Sequence, residues 1–264
     1  MSAKPNGSFC WADLAPGDQP RAEAFYAALA GWHTGPKHPD FDYAMQFLGA
    51  DETPATRVAG ISGAMDGHVP DWNLYLATDD FDATAAAVEA HGGRVGLERF
   101  EIPGSGIGGF FVDPAGVTFG VWQSTGHDGF GPFAVPGAFA WAEAYSTDAT
   151  ASRDFFSAVF GLEAATLSET AEFTYFQLKV PGAGDPVFGV MQMGDRSPVG
   201  GDRSHFTAYL AVADADAAAA QVVELGGSVQ RQPTDTPFGR LATITDSEGA
   251  VLNLVDPSRR GGSV

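Results

Sequence analysis

The sequence predicts an α+β fold built from a β-α-β-β-β module that occurs four times, twice in each half of the chain. The first observation is an internal repeat, because FYAALAGW at residues 25–32 returns in altered form as FFSAVFGL at residues 155–162. The second is that three further pairs of segments match in the same order. The third is the length, since 264 residues suffice for two domains of about 130 residues each. We therefore predict two homologous domains in tandem.

The matching segments show which residues of the two halves correspond. Aligning CWADLAPG with AWAEAYST places Trp11 over Trp141. The same alignment places Asp13 over Glu143. The later matching pairs are residues 57–67 with 186–196, 79–95 with 213–229, and 112–123 with 245–256.

A linker is predicted between the two halves. Residues 124–137 read STGHDGFGPFAVPG, and a high content of Gly and Pro is typical of domain boundaries. The predicted domains are therefore residues 8–123 and 138–256.

The elements of the first half follow from local patterns. A strand at 9–14 leads through an Asp turn into an amphipathic helix at 19–30. An Ala-rich helix at 81–91 ends at Gly92 and Gly93, which form a C-cap. The other predicted strands lie near 43–49, 56–62, 72–78, 94–101, 108–113 and 117–122.

Composition excludes several classes of protein. The net charge of −19 repels phosphate backbones and anionic lipid, so we predict no nucleic-acid or membrane partner. No apolar run is long enough to span a membrane, and the N-terminus lacks a hydrophobic signal core. We therefore predict a cytoplasmic protein, either a monomer or a homodimer. The single cysteine, Cys10, excludes an intrachain disulfide and a thiolate zinc cluster.

Three segments carry a resemblance to a known family. The start CWADL with its AFYAALAGW helix, the DDFDA…AAVEAHGG helix and the VDPAGVTFGVWQ hairpin resemble the glyoxalase/bleomycin-resistance/extradiol-dioxygenase superfamily, the vicinal oxygen chelate fold. Within it the chain is most similar to tandem-domain actinobacterial proteins described as glyoxalase-like or as hydroxylases. The resemblance implies paired βαβββ modules in each domain, which curl into a cupped mixed sheet with outer helices around a small molecule. It implies no particular reaction, because this fold supports unrelated chemistries.

The resemblance also indicates where a metal would bind. In metal-dependent relatives His, Gln or Glu ligands come from the first and last strands of each module. In this chain the matching positions are occupied by Trp, Gly, Asn and Thr. Trp and Gly supply no side-chain ligand, and isolated Asn or Thr residues are poor ligands. We therefore predict neither a metal nor another cofactor. The matching positions are Trp11, Gly60, Asn73 and Gly120 in the first half, and Trp141, Gly189, Thr207 and Asn253 in the second.

Aromatic residues occupy many of the predicted strand positions. Strand alternation places Trp11 and Asp13 on one face, and likewise Trp141, Glu143 and Tyr145. Aromatic residues with a few polar groups are typical of a pocket for a flat, largely apolar ligand, although large aromatic side chains also bury for packing alone. The predicted ligand-binding residues are Trp11, Trp72, Tyr75, Trp122, Trp141, Tyr145, Gln177, His205, Tyr209 and Asn253. Phe176 is a further aromatic candidate.

Two carboxylates are the candidate catalytic residues. Asp13 and Glu143 lie on inward strand faces beside a tryptophan, where a carboxyl group can act as a general acid or base. The structural alternative is that they cap turns or pair with an arginine such as Arg153 or Arg240. The second half has more polar candidate residues, so we expect ligand specificity mainly within 138–256.

Two functions remain open at this point. One is a metal-independent lyase, isomerase or cyclase that acts on a flat, largely apolar metabolite, for example in secondary metabolism. The other is sequestration of a drug or metabolite without chemistry, as in bleomycin-resistance relatives. One domain could also be a degenerate scaffold for the other.

The segment GSGIGG (104–109) matches a dinucleotide-binding pattern but precedes a predicted strand, so we interpret it as a flexible lip over the cup.

Overall fold

The computed structural model describes residues 4–39, 42–63, 69–170, 173–194 and 203–261. In these residues the order strand, helix, strand, strand, strand occurs four times. This confirms the predicted α+β class and the repeated module. None of the helices in the described ranges is both long and apolar enough to cross a membrane.

The first half of the chain contains two modules. The predicted elements lie close to the observed ones, except that the strand after the first helix was not predicted. Its sequence, WHTGPK, contains a Gly and a Pro, which weaken the strand pattern. The elements are β1 (Phe9–Ala15), α1 (Gln19–Ala30), β2 (Trp32–Lys37), β3 (Ala44–Leu48), β4 (Arg57–Ile61), β5 (Asp71–Ala77), α2 (Phe81–Ala90), β6 (Arg94–Ile102), β7 (Gly106–Val112) and β8 (Thr118–Ser124).

The second half repeats the same order. Its elements are β9 (Phe139–Ser146), α3 (Ala149–Phe160), β10 (Glu163–Glu169), β11 (Thr174–Lys179), β12 (Pro186–Gln192), β13 (His205–Ala211), α4 (Ala215–Glu224), β14 (Ser228–Thr236), β15 (Gly239–Thr245) and β16 (Val251–Asp256).

Each of the four helices in the described part of the chain has an aspartate as its N-cap. The side chain of this residue accepts a hydrogen bond from a backbone N–H in the first helical turn, which satisfies a donor that has no partner within the helix. α1 and α3 end at Gly31 (φ 71°) and Gly161 (φ 68°), in the left-handed conformation that glycine adopts without strain. The capping residues are Asp18, Asp80, Asp148 and Asp214.

Each half of the chain forms a mixed sheet of eight strands. The strand order is β2-β3-β4-β1-β5-β8-β7-β6 in the first half and β10-β11-β12-β9-β13-β16-β15-β14 in the second. β1 runs parallel to β4 and β5 parallel to β8, and the second half repeats this with β9–β12 and β13–β16. The first strand of every module therefore pairs with the last strand of the same module.

The chain also divides into two compact units, which cut across the repeat. Each unit combines one module from each half, so α2 packs against α3 in unit 1 and α1 packs against α4 in unit 2. The domain boundaries at residues 123 and 138 remain a prediction. Unit 1 contains Met1–Trp11, Leu74–Gly129 and Trp141–Thr207, and unit 2 contains Ala12–Asn73, Phe130–Ala140 and Ala208–Val264.

The core of unit 1 joins its two modules through aromatic and polar contacts. The Phe119 ring makes edge contacts with Phe155 (6.0 Å between centroids) and Phe156 (5.1 Å) of α3. Ser152 Oγ, also on α3, donates a hydrogen bond to Asp113 Oδ2 in the turn between β7 and β8. Burial raises the pKa of Asp113.

The core of unit 2 contains Trp72. Its Nε1 donates to the Tyr26 hydroxyl (3.0 Å), and its ring contacts Trp32 and Phe139. Strand alternation places Trp72 on the opposite face of β5 from Asn73. The structure thus assigns Trp72 to the helix-packed core rather than to the ligand-binding face for which it was predicted.

Three of the four glycines of GSGIGG, namely Gly106, Gly108 and Gly109, belong to a packed strand. A Cβ atom at Gly106 would lie 2.4 Å from the Trp122 ring, and one at Gly108 would lie 2.6 Å from Phe100. Residues from Gly106 onward form β7, where they pair with β8. The interpretation as a flexible lip is therefore corrected for residues 106–109, whose glycines make room for aromatic rings.

Candidate functional site

The predicted carboxylate Glu143 lies at the centre of β9 in unit 1. β9 runs parallel to β12, so that Glu143 is directly opposite Gly189. On the other side of β12, Gln177 of β11 is opposite the same glycine. Directly paired residues point to the same face of a sheet, so Glu143 and Gln177 share one face. Phe176 points to the other face, where the Arg153 guanidinium of α3 lies over its ring, and so it does not join them.

Glu143 is the centre of a hydrogen-bonded cluster with a tyrosine and a tryptophan. The Tyr175 hydroxyl donates to Glu143 Oε1 at 2.6 Å. Trp141 Nε1 donates to the same Oε1 at 3.2 Å and to the Tyr175 hydroxyl oxygen at 3.1 Å. Glu143 is only 7% exposed and Tyr175 only 2%. We call these three residues the Glu143 cluster.

Glycine at position 189 makes the cluster possible. A Cβ atom on Gly189 would lie 2.4 Å from the Tyr175 hydroxyl oxygen, well inside van der Waals contact. The absence of a side chain on β12 therefore leaves the space that the phenol occupies beside Glu143. Any larger residue at this position would displace Tyr175.

The environment of Tyr175 keeps it protonated. Burial, together with the negative charge of Glu143, raises the pKa of the phenol well above 10. At physiological pH Tyr175 is therefore a hydrogen-bond donor to Glu143 and not a phenolate.

Further predicted residues lie in the same unit. The Tyr145 ring stacks on His205, with 5.1 Å between centroids and an interplanar angle of 11°. His205 Nδ1 lies 3.0 Å from the backbone oxygen of Arg203. Thr207 is buried and Gln177 is half-buried. The structure thus brings Tyr145 together with His205, and Trp141 together with Glu143.

The predicted aromatic residues of the first half meet around a histidine of the predicted linker. The His127 and Trp11 rings form a T-shaped pair with 4.4 Å between centroids. Trp122 Nε1 donates to the His127 backbone oxygen at 2.8 Å, and its ring contacts Tyr75 at 6.4 Å. Tyr75 covers Gly120, where a Cβ atom would lie 2.5 Å from its ring. Trp11, Tyr75 and Trp122 are therefore close-packed residues of unit 1.

Asp13, the second predicted carboxylate, lies in unit 2. Asn73 Nδ2 donates to Asp13 Oδ1 at 2.9 Å. Asp13 is directly opposite Gly60 on β4, as Glu143 is opposite Gly189 on β12. A Cβ atom on Gly60 would overlap the hydroxyl of Tyr43, at 1.7 Å. The repeat therefore preserves a carboxylate, a glycine and a covering tyrosine in both halves.

Tyr209 and Asn253 also lie in unit 2. They are directly opposite each other on the parallel strands β13 and β16. Thr243 Oγ1 on β15 donates to Asn253 Oδ1 at 2.8 Å. These two predicted residues are therefore neighbours, and the Asn253 amide is held by a threonine.

The two arginines considered as structural partners form ion pairs elsewhere. Arg153 pairs with Asp154. Arg240 pairs with Asp216 and Asp235. Asp13 accepts a hydrogen bond from the Asn73 amide, and Glu143 accepts hydrogen bonds from a phenol and an indole.

The residues present do not fit the metal site of metal-dependent relatives. Three of the four last-strand positions are glycines, and a tyrosine occupies the space beside each of them: Tyr43 at Gly60, Tyr75 at Gly120 and Tyr175 at Gly189. A neutral phenol is a poor ligand for a divalent ion, which binds best to carboxylate, imidazole or thiolate groups. Within the described ranges, no three or more His, Cys, Asp or Glu side chains form a group that could hold a metal ion.

Sequence reasoning missed Tyr43 and Tyr175. Both lie two residues before the position that pairs with the last-strand glycine, which is Met45 for Gly60 and Gln177 for Gly189. The repeated glycines were a detectable signal that a neighbouring strand supplies a large side chain at these points. The identity of that side chain depends on strand register.

Two family models match the chain. One, described as the Glyoxalase/Bleomycin resistance protein/Dioxygenase superfamily, matches residues 138–254. The other, described as a Glyoxalase-like domain, matches residues 13–122.

Relatives of known name match nearly the whole chain. The protein CFP32 of Mycobacterium tuberculosis is 35% identical over 254 residues, which is 94% of this chain and 94% of the relative. The anthracycline biosynthesis protein DnrV of Streptomyces peucetius is 32% identical over 276 residues, with 97% of this chain and 98% of the relative covered. Among solved structures, the Mn(II)-bound glyoxalase from Novosphingobium aromaticivorans matches with a TM-score of 0.65 and 19% identity, over 97% of this chain and 86% of that one. At this identity the structural match shows a shared fold only.

Proposed function

Because this chain belongs to the glyoxalase/bleomycin resistance protein/dioxygenase superfamily, we propose that it binds a flat, largely apolar small molecule on the sheet face that carries Glu143. On this proposal it acts as a metal-independent lyase, isomerase or cyclase. The observation that carries the proposal is the Glu143 cluster, a buried carboxylate held between a phenol and an indole.

The position of Glu143 suits proton transfer. A carboxylate held at one oxygen by two donors has a fixed orientation, and a positioned carboxyl group can accept a proton from a ligand and return it at another atom. Tyr175 and Trp141 keep the carboxylate in place during both steps. Such a sequence moves a proton without consuming an oxidant or a reductant, which is the requirement of an isomerase, a cyclase or a lyase.

The ligand class is supported by the aromatic side chains and by the relatives. Tyr145 and Trp141 lie on the same strand and the same face as Glu143, where their rings can pack against a planar molecule. One relative is named for anthracycline biosynthesis, and anthracyclines are flat, polycyclic aromatic compounds. A role in the metabolism of a flat aromatic metabolite fits both observations.

The absence of suitable ligands supports a reaction without a metal. The glycines at the last-strand positions and the tyrosines beside them leave a donor set that does not fit a divalent ion. The proposal therefore assigns proton transfer to the Glu143 carboxylate without a metal. Asp13 is the corresponding candidate in unit 2.

Sequestration without chemistry is the second candidate. It is favoured by the saturation of the cluster, since the Tyr175 hydroxyl and the Trp141 indole already donate within the protein and need no ligand to be satisfied. The proposal also includes a cytoplasmic location, a monomeric or homodimeric state and no nucleic-acid partner. The net charge of −19 supports the last of these, because it repels phosphate backbones.

Two variants separate the candidates once a ligand is found by native mass spectrometry of the full chain with a panel of aromatic polyketide-like compounds. Glu143→Gln retains the shape of the side chain but removes its charge, and Asp13→Asn makes the same change in unit 2. We expect Glu143→Gln to bind the ligand and to lose turnover, whereas Asp13→Asn keeps turnover. If only Asp13→Asn is impaired, unit 2 carries the reaction. If neither variant changes turnover or if wild type shows none, the enzyme proposal fails and sequestration is favoured.

A further inference from the structure

The donors of the Glu143 cluster all point inward, towards the carboxylate. Trp141 has a single N–H, which lies between Glu143 Oε1 (3.2 Å) and the Tyr175 oxygen (3.1 Å). Tyr175 has a single O–H, which is directed at Glu143 Oε1 (2.6 Å). With both donors committed within the protein, the polar groups that the cluster offers to a ligand are acceptors.

The charge of the cluster has the same consequence. The Tyr175 phenol stays neutral, and the negative charge of Glu143 is one of the causes that raise its pKa. The chain as a whole carries a net charge of −19. A ligand that presents a carboxylate or phosphate would be repelled by this field, and a ligand that presents a carbonyl oxygen would bring lone pairs against lone pairs.

We infer that the molecule bound beside Glu143 presents a hydrogen-bond donor, namely a phenolic or enolic hydroxyl on its flat ring system, and that Tyr175 is the residue that sets this requirement. Tyr175 does so by holding the carboxylate in place and by directing its own O–H away from the ligand. This inference rests on the proposed function, which supplies the flat apolar ligand.

Tyr175 can have this role because of the strand next to it. Gly189 leaves the space for the phenol, and strand pairing aligns Glu143 with that glycine. The specificity is therefore a property of three strands, β9, β11 and β12, that lie side by side in unit 1. In this arrangement Glu143 is the group that touches the ligand, and Tyr175 acts through it as a positioning residue.

The experiment compares two probes that differ in one donor. 2-Hydroxyanthraquinone carries a phenol that cannot bond to its own carbonyl groups, and 2-methoxyanthraquinone has the same ring system without the donor. Both are titrated into the full-length protein by isothermal titration calorimetry. We expect the hydroxyl compound to bind about 10- to 100-fold more tightly, as is typical for a hydrogen bond to a charged group. Its affinity should fall when the pH is raised until the probe ionises.

Variants assign the difference to the cluster. In Glu143→Gln the side-chain amide has donors as well as an acceptor, so the affinity ratio of the two probes should fall to near one. Tyr175→Phe keeps the ring and should reduce the ratio while retaining binding of the methoxy compound. Glu224→Gln, an exposed carboxylate at the end of α4, is the matched control and should leave the ratio unchanged.

Each outcome has a definite meaning. If wild type binds both probes equally, or if the ratio is the same in Glu143→Gln and Tyr175→Phe as in wild type, the inference is overturned while the proposed ligand class stands. If neither probe nor any other flat aromatic compound binds, the proposed function itself fails, and the inference with it. Circular dichroism of each variant shows whether it is folded, and Tyr175→Phe alone suffices if Glu143→Gln does not fold.

Discussion

In unit 2 the Tyr26 hydroxyl donates a hydrogen bond of 2.9 Å to Oδ2 of Asp246. Tyr26 lies on α1 of the first half, and Asp246 lies in the turn between β15 and β16 of the second. Oδ1 of Asp246 accepts hydrogen bonds from the backbone N–H groups of Glu248 and Ala250. One carboxylate therefore stabilises the turn and also binds a side chain of the helix from the other half. Asp113 and Ser152 form the corresponding contact in unit 1. In each unit, therefore, a turn aspartate of one half is hydrogen-bonded to a helix of the other half.

Tyr26→Phe should destabilise the protein by about 1–3 kcal/mol, because the change leaves the Trp72 indole N–H without its acceptor and removes a donor to Asp246 in a buried setting. The free energy of unfolding from urea denaturation measures the effect. Unchanged stability would show that the contact between the two modules contributes nothing in solution.

The same carboxylates should make stability depend on pH. Burial raises the pKa of Asp246 above the ordinary aspartate value of 3.8. A raised folded-state pKa contributes stability that is fully present below the unfolded-state pKa and is lost as the pH rises through the folded-state pKa. The stability of wild type relative to Asp246→Asn should therefore decrease as the pH rises above the unfolded-state pKa of about 4. Urea unfolding at several pH values tests this, with the exposed Asp51→Asn as the control, and a difference that grows with pH would contradict the sign.

Gly189→Ala tests the packing that underlies the Glu143 cluster. The new methyl group would lie 2.4 Å from the Tyr175 hydroxyl oxygen, so we expect a loss of about 1–3 kcal/mol of stability from overpacking. In a Tyr175→Ala background the same change should cost much less, because the obstructing ring is gone. Gly184→Ala, where nothing lies within 4 Å of the new Cβ, is the control. A cost that is equal in both backgrounds would mean that Tyr175 does not cover Gly189.

Much of the fold is visible in the sequence because it depends on local signals. Aspartates before each helix and glycines after α1 and α3 mark helix ends whatever the tertiary context. The strand β2 was missed because its Gly and Pro oppose the strand pattern, and its pairing with β3 maintains it instead. Trp72 was assigned to the wrong face, although its spacing of three residues from Tyr75 already places the two side chains on opposite faces of one strand.

The site was less predictable because it depends on register between strands that are distant in sequence. Glu143 and Trp141 were found from alternation within a single strand. Tyr175 was not, because it reaches Glu143 across the intervening strand β12 and only where Gly189 leaves space. Which tyrosine covers which glycine follows from strand pairing, and the amino-acid pattern does not specify that pairing.

Chelation should have no effect on the protein. The three glycines and their covering tyrosines provide no suitable donor set, so dialysis against EDTA is expected to leave the melting temperature and the binding of 2-hydroxyanthraquinone unchanged. Elemental analysis of the purified protein checks the same point. Stoichiometric Fe, Mn, Ni or Zn, together with loss of binding after chelation, would contradict the prediction.

Cys10 should be unreactive in the folded protein and should report on the opening of unit 1. Burial raises the pKa of its thiol to about 12, and its Sγ lies 3.4 Å from the backbone oxygen of Tyr75, so both the thiolate fraction and the access of a reagent are low. At pH 8 we expect a thiol reagent such as DTNB to react on the order of 1,000-fold more slowly than with free cysteine, because a thiol with a pKa of about 12 has a thiolate fraction smaller by about that factor. Addition of urea should restore fast labelling at the concentration where the chain unfolds. Labelling that is already fast in buffer would show that the segment around Cys10 opens independently of the rest of unit 1.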